Sequence, residues 1–185
     1  MKKNLPVILI ISVIIASGCT STAQNTYTSD SLPEGVPSAG EHPVGNAAGD
    51  RAPDFTLTTT DGRTIKLSEL TAQRKPVVLY FMATWCPYCK EEYKEIEQVF
   101  PGSGVEFISV SLDIKETAGV LENYRTSNNR PGTFATGSEQ ILKDYNVIYT
   151  TTKYVISMDG AILYRGSGVL KAENWKTIFD SLVNS

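Results

Sequence analysis

Apolar and polar positions divide the chain into three stretches of different character. A predominantly apolar run fills residues 5–16, directly after Lys2 and Lys3. Residues 20–50 show no apolar periodicity; they are rich in Ser, Thr, Ala, Gly and Pro and contain no Lys or Arg. From Arg51 onward, short apolar segments alternate with turn signals, which predicts a folded domain over residues 51–185.

Within that domain, Phe55-Thr56-Leu57 and residues 63–67 flank Asp61-Gly62, a dipeptide favoured in tight hairpin turns. Residues 77–83 are continuously apolar, as in a central strand covered on both faces. Residues 87–100 read as a helix with Cys89, Tyr93, Ile96 and Phe100 on one face. The pattern then predicts a buried strand over 105–111, a helix over 115–126 and a short strand over 133–136. A short helix over 138–145 has Ser138 as its N-cap. Residues 153–157 and 161–165 form a hairpin around Asp159-Gly160, and a closing helix over 172–183 aligns Trp175, Ile178, Phe179 and Leu182. Strand–helix alternation ending in a hairpin and a helix predicts an α/β domain with a mixed sheet.

The N-terminal stretch addresses the protein outward. A basic start, an apolar core and small residues before Cys19 describe a secretory signal peptide over 1–18. The run is shorter than the ~20 apolar residues of a membrane-spanning helix. Ala16-Ser17-Gly18-Cys19 resembles a prokaryotic lipobox, in which the cysteine is diacylated and becomes the new N-terminus. An uncleaved signal anchor and a plain secreted protein are the alternatives. Two acyl chains on Cys19 meet the requirement for stable anchoring. Loss of Lys2 and Lys3 leaves 15 Lys+Arg against 20 Asp+Glu, a charge of −5, so lipid rather than electrostatic attraction holds the protein to the membrane. Residues 19–50 then form a flexible linker spanning roughly 30 Å.

Composition narrows the chemistry. With 185 residues, 41% of them hydrophobic, the chain suits one domain of ~100–150 residues, and neither that share nor the charge suggests wholesale disorder. A net charge of −3 offers no Lys/Arg excess for nucleic acid. His42, the single histidine, lies in the linker and is read as solvated, which argues against histidine metal cages and Cys-His catalysis. Three cysteines are too few for a disulfide framework.

The remaining chemistry sits in Trp85-Cys86-Pro87-Tyr88-Cys89, where the buried strand ends and a helix starts. A thiol at a helix N-terminus faces unpaired N–H groups that stabilise a thiolate. Pro87 fits the first helical position, where its missing N–H costs nothing. Helical spacing brings Cys89 within disulfide reach of Cys86. Cys86 is expected to be the exposed nucleophile and Cys89 the buried resolving thiol. A zinc half-site lacks further Cys/His ligands once Cys19 is lipidated, and a c-type haem motif needs His where Lys90 stands. An inert structural disulfide is the remaining alternative. No metal site and no cofactor are called for.

With these residues in place, the domain resembles the TlpA/ResA-type thiol–disulfide oxidoreductases of the thioredoxin-like redoxin group, over most of residues 49–185. Gly49-Asp50-Arg51-Ala52-Pro53-Asp54-Phe55-Thr56-Leu57 resembles the group's entry strand, residues 77–89 its active-site strand and turn, and Tyr145-Asn146-Val147 with residues 154–160 its later strand and hairpin. The resemblance implies a thioredoxin-like fold: a central mixed β-sheet flanked by helices, with an N-terminal β-hairpin extension. It implies exchange with protein thiols and disulfides through Cys86 and Cys89, a substrate groove at Trp85, Pro87, Tyr88, Thr150 and Thr151, and a membrane-embedded electron donor or acceptor. A role in cytochrome c maturation, an extracytoplasmic location and a monomeric state are the matching expectations.

Glu92, one turn beyond Cys89, stands where this group carries a glutamate implicated in proton handling; read alone, it is a solvated member of Lys90-Glu91-Glu92. Tyr80 stands where thioredoxin has a buried aspartate, which makes Glu92 the candidate base for Cys89. Tyr88 gives a CPYC motif similar to glutaredoxins, and the intervening pair tunes reduction potential. Thr151 replaces the group's cis-proline. A cis bond without proline costs ~2.5–4 kcal/mol, so either the loop rearranges or a strained cis peptide precedes Thr151. Two other functions are weighed. A thiol peroxidase needs a PxxxTxxC arrangement, but residues 79–86 lack the proline and have Ala83 in the threonine position. A thiolate metal or cluster carrier is the other, kept open by Thr151.

Overall fold

A computed structural model describes residues 42–183. The signal peptide over 1–18, the lipidation candidate Cys19 and the linker up to residue 41 lie outside the described residues.

Two sheets form. Strands β1 (Thr56–Thr58) and β2 (Thr64–Lys66) make the expected antiparallel hairpin, closed around Gly62 at φ +84°, a conformation that glycine adopts without strain. The main sheet has five strands in the order β5-β4-β3-β6-β7: β3 (Val77–Met82), β4 (Glu106–Ser111), β5 (Thr133–Ala135), β6 (Thr152–Ile156) and β7 (Ile162–Gly166). β3, β4 and β5 run parallel, while β6 and β7 are antiparallel additions, so the sheet is mixed as predicted. The helices are α1 (Leu67–Ala72), α2 (Pro87–Val99), α3 (Ala118–Ser127), α4 (Glu139–Asp144) and α5 (Ala172–Val183). Ser138 caps α4 by accepting the Ile141 N–H, as its position predicts. The pattern predicts no helix at α1.

β3 explains why the core has two faces. All six of its residues are buried, and successive side chains point to opposite sides of the sheet. Val77, Leu79 and Phe81 pack with Leu57, Ile65, Leu70, Tyr145 and Tyr154. Val78, Tyr80 and Met82 pack with Cys89, Tyr93 and Ile96 of α2 and Trp175, Phe179 and Leu182 of α5. The second face therefore presses the thiol-bearing helix directly against Tyr80.

The linker expected to run to Asp50 gives way to hydrogen-bonded chain before that point. Gly45 N–H and Arg51 N–H bond to Arg51 C=O and Pro43 C=O at 3.0 Å each. Gly49 N–H reaches Ile162 C=O at 2.8 Å, Ile162 N–H reaches Asp50 C=O at 2.8 Å and Ala52 N–H reaches Gly160 C=O at 2.9 Å. These bonds satisfy main-chain groups that the sequence pattern, lacking apolar periodicity here, does not reveal.

Candidate active site

The site is built where β3 ends. Met82 and Ala83 are fully buried, Thr84 and Trp85 turn the chain, and Pro87 opens α2 at its first position. Cys86 is the N-cap: its Sγ accepts the Cys89 N–H at 3.1 Å. Both thiols are free and both are buried, Cys86 at 1% exposure and Cys89 at 0%. The expectation of an exposed Cys86 is therefore corrected: its sulfur turns inward over the first helical turn to satisfy a donor that the helix leaves unpaired. Cys89 faces the core, and burial, followed by its contact with Cys86, pushes its pKa up to about 12. The Ala83 backbone and the Tyr80 side chain act in the opposite direction and favour its thiolate.

The turn is braced from the β4–α3 connection. Glu116 accepts the Thr84 N–H at 2.9 Å and bonds the hydroxyls of Thr84 and Ser111. Asp113 accepts the Trp85 indole N–H at 3.0 Å, which fixes the ring while leaving it 59% exposed.

Glu92 is not solvated. It lies on the inner face of α2 with Cys89, Tyr93 and Ile96, at 0% exposure. Its carboxylate accepts the Tyr80 hydroxyl at 2.9 Å, the Leu170 N–H at 3.0 Å and the Lys153 ammonium. Burial raises its pKa above the ordinary carboxyl value, with Lys153 opposing that shift, while burial lowers the pKa of Lys153. Lys153 escapes a reading of the sequence because its partner lies 61 residues away; a lysine within a short strand, directly before Tyr154, Val155 and Ile156, is the one signal that marks it.

The proposed groove residues gather at one end of the sheet. β6 runs antiparallel to β3 with Phe81 opposite Thr152, so the segment preceding β6 lies beside the end of β3 that leads to the thiols. Trp85, Pro87 and Tyr88 are exposed, as are Ile148 and Tyr149, whereas Thr150 is half-buried and Thr151 buried. No cis peptide bond occurs among the described residues; of the two outcomes open for Thr151, the loop rearranges. Thr151 takes φ +62°, which β-branched residues rarely adopt, and its hydroxyl accepts the Gly168 N–H at 2.9 Å. Among the described residues no group of three or more His, Cys, Asp and Glu is disposed to hold a metal ion, and no helix is long and apolar enough to cross a membrane.

The AhpC/TSA family matches residues 48–165. The thiol-disulfide oxidoreductase ResA of Bacillus cereus is 30% identical over 175 residues, covering 91% of each chain. The ResA of Bacillus subtilis is 32% identical over 127 residues, 66% of this chain and 68% of that protein. Among solved structures, the thioredoxin domain of a thiol-disulfide oxidoreductase from Bacteroides vulgatus superposes with a TM-score of 0.61 at 18% identity, covering 75% of this chain and 99% of that one. StoA from Bacillus subtilis superposes with a TM-score of 0.57 at 23% identity, covering 68% and 96%. The fold and the relatives together define a thioredoxin-like oxidoreductase. The chain belongs to the AhpC/TSA family, with ResA proteins among its relatives.

Proposed function

We propose that this protein exchanges disulfides with protein substrates through its CPYC motif, on the extracytoplasmic side of a membrane. Cys86, as thiolate, attacks one sulfur of a substrate disulfide, forming a mixed disulfide and releasing the first substrate sulfur. Cys89 then attacks the Cys86 sulfur, closing the Cys86–Cys89 disulfide and releasing the second. Two protein thiols are oxidised as one substrate disulfide is reduced; the reverse sequence oxidises a substrate dithiol. The observation that carries this reading is the pair of free thiols at the start of α2, with the Cys89 N–H on the Cys86 sulfur at 3.1 Å.

Trp85, Pro87, Tyr88 and Thr150 form the surface that receives the substrate, and the buried Thr151 holds the loop that carries Thr150. The signal peptide over 1–18 and a lipid on Cys19 place the domain outside the cytoplasm, where a membrane-embedded electron donor or acceptor resets the thiols. Reductant transfer in cytochrome c maturation fits that setting, with the protein acting as a monomer. The test uses a Cys89→Ser variant, in which a disulfide-bearing substrate protein such as insulin should remain trapped on Cys86; absence of the adduct overturns the reading. The reduction potential of the Cys86–Cys89 couple sets the direction. A value near ~−270 mV or below supports a reductase, and one of about −120 to −180 mV supports disulfide formation or isomerisation.

A further inference from the structure

The end of the sheet that carries the thiols also holds a recess that the exchange steps above leave unused. Its lining includes Ile148, Tyr149, Thr152 and Arg165. Thr152 on β6 is the cross-strand partner of Phe81, and Gly166 on β7 that of Lys153, so the recess lies where β3 leads to Cys86. Its volume of about 210 Å³ falls below the ~300–1,000 Å³ of a small-molecule site, and suits one or two side chains of a polypeptide laid across it. Ile148 and Tyr149 are each 67% exposed. Scattered apolar residues are ordinary at a surface, but these two are consecutive and lead directly into Thr150 and Thr151. Their backbone is held: the Tyr149 carbonyl accepts the Thr152 hydroxyl at 2.7 Å, and the Val147 N–H bonds to the Leu142 carbonyl at 2.8 Å. Arg165 is fixed as well, its Nε donating to the Tyr154 hydroxyl at 2.6 Å and its Nη2 to the Asn146 carbonyl at 3.2 Å. Both acceptors are uncharged, so they orient the guanidinium without neutralising it.

We propose that this recess is a specificity subsite for the substrate protein, taking an apolar side chain against Ile148 and Tyr149 and a neighbouring carboxylate on Arg165. The inference rests on the exchange reaction above and names the polypeptide segment that the reaction selects: an apolar residue beside an aspartate or glutamate, in extended chain flanking the disulfide. The bonds to Tyr154 and Asn146 use two of the five guanidinium N–H groups, leaving donors on Nη1 and Nη2 for a carboxylate. A cation alone attracts any anion. The adjacent apolar pair narrows the occupant to a polypeptide, because an inorganic anion gains nothing by covering Ile148 and Tyr149. A fixed backbone keeps the ordering cost of that contact low. Adjacent strands lie ~4.8 Å apart, which puts β7 about 10 Å from β3 across β6. An extended chain advances ~3.3 Å per residue, so the acidic residue belongs about three positions from the attacked cysteine.

The test mixes the reduced full chain at low ionic strength with peptides that carry a disulfide and a Leu-X pair, X being Glu, Gln or Lys. The pair is placed at successive positions on either side of the cysteine, and the second-order rate of reduction is measured. Near the third position the Glu peptide should react about twofold to fivefold faster than the Gln peptide, the range of an exposed ion pair, with the Lys peptide slowest. Salt at about 1 M, where the screening length is about 3 Å, should remove the difference. Arg165→Glu should invert the order and Arg165→Gln should abolish it; an arginine that only braced Tyr154 and Asn146 would produce no inversion. Replacing the peptide leucine by serine should slow the unaltered protein several-fold, and an Ile148→Ser/Tyr149→Ser variant much less. Equal rates for Glu and Lys peptides at every position overturn the inference, as does an order that survives Arg165→Glu or a rate indifferent to the leucine. If Arg165→Glu fails to fold, an order that survives Arg165→Gln overturns it instead. If the unaltered chain reduces none of the peptides, the exchange reaction itself fails. That result is distinct from equal reduction of all of them, in which the exchange stands and the subsite falls.

Discussion

Glu92 and Lys153, 61 residues apart in sequence, form an ion pair in which neither side chain retains any solvent exposure. Removing one partner strands a buried charge, whereas removing both strands none. Lys153→Met should therefore cost about 3–5 kcal/mol of stability, and the double variant Lys153→Met/Glu92→Leu should regain most of that loss. Urea unfolding of the reduced protein measures both. Equal losses in the single and double variants would mean that the pair contributes only through packing.

Cys89 links stability to pH. Burial raises its folded-state pKa from an ordinary 9.0 to about 12. A raised folded-state value means that the stabilisation is complete below about pH 9 and is lost as pH rises toward about 12, because the unfolded chain ionises first. Reduced wild type should lose stability relative to Cys89→Ala over that window, by at most about 1.4 kcal/mol per pH unit. Comparison with Cys89→Ala removes the shared contribution of the buried tyrosines. Parallel stability curves for the two proteins would contradict the assignment.

Thr151 holds a left-handed backbone at φ +62°. Proline locks φ near −65°, so restoring the residue that the group carries here should destabilise this chain by about 1–3 kcal/mol. Thr151→Gly should be nearly neutral: relief of about 1–2 kcal/mol of backbone strain offsets the lost hydrogen bond to Gly168. Thermal unfolding of the two variants beside wild type tests this, and a proline variant as stable as wild type would show that the loop accepts a second conformation.

Trp85 is the largest exposed apolar side chain beside the thiols, and Asp113 holds its ring in place. Trp85→Ala should weaken binding of a protein substrate by more than about 1 kcal/mol, roughly fivefold in KM. Asp113→Ala should produce a smaller change in the same direction. Neither variant should alter the rate with a small disulfide, which needs no docking surface. Equal losses on large and small substrates would instead place Trp85 in the chemistry of the thiols.

Strong local signals carried most of the fold. The stripe formed by Trp175, Ile178, Phe179 and Leu182 marks α5 to its observed ends, and Asp61-Gly62 and Asp159-Gly160 mark both hairpins. α1 was not legible because Lys66, the residue before it, provides no capping side chain, whereas Ser138 marks the start of the equally short α4. The Cys86–Cys89 pair was legible as chemistry, but the burial of Cys86 was not, since it depends on which way one side chain turns at a cap. Glu92 sits among Lys90, Glu91 and Lys94, so its neighbours in sequence suggest a wet face. Its place three residues after Cys89 turns it inward, and only strand pairing brings Tyr80 and Lys153 to meet it.

The segment over 43–52 has a practical consequence. Its residues 49–52 bond to residues 160–162 where β7, the last strand of the main sheet, begins, with Gly49 and Asp50 bonded on either side of Ile162. Strand edges with free main-chain groups recruit strands from other molecules. A recombinant fragment trimmed to begin at residue 53 would uncover that edge and should self-associate as concentration rises, whereas one beginning at residue 42 carries its own cover.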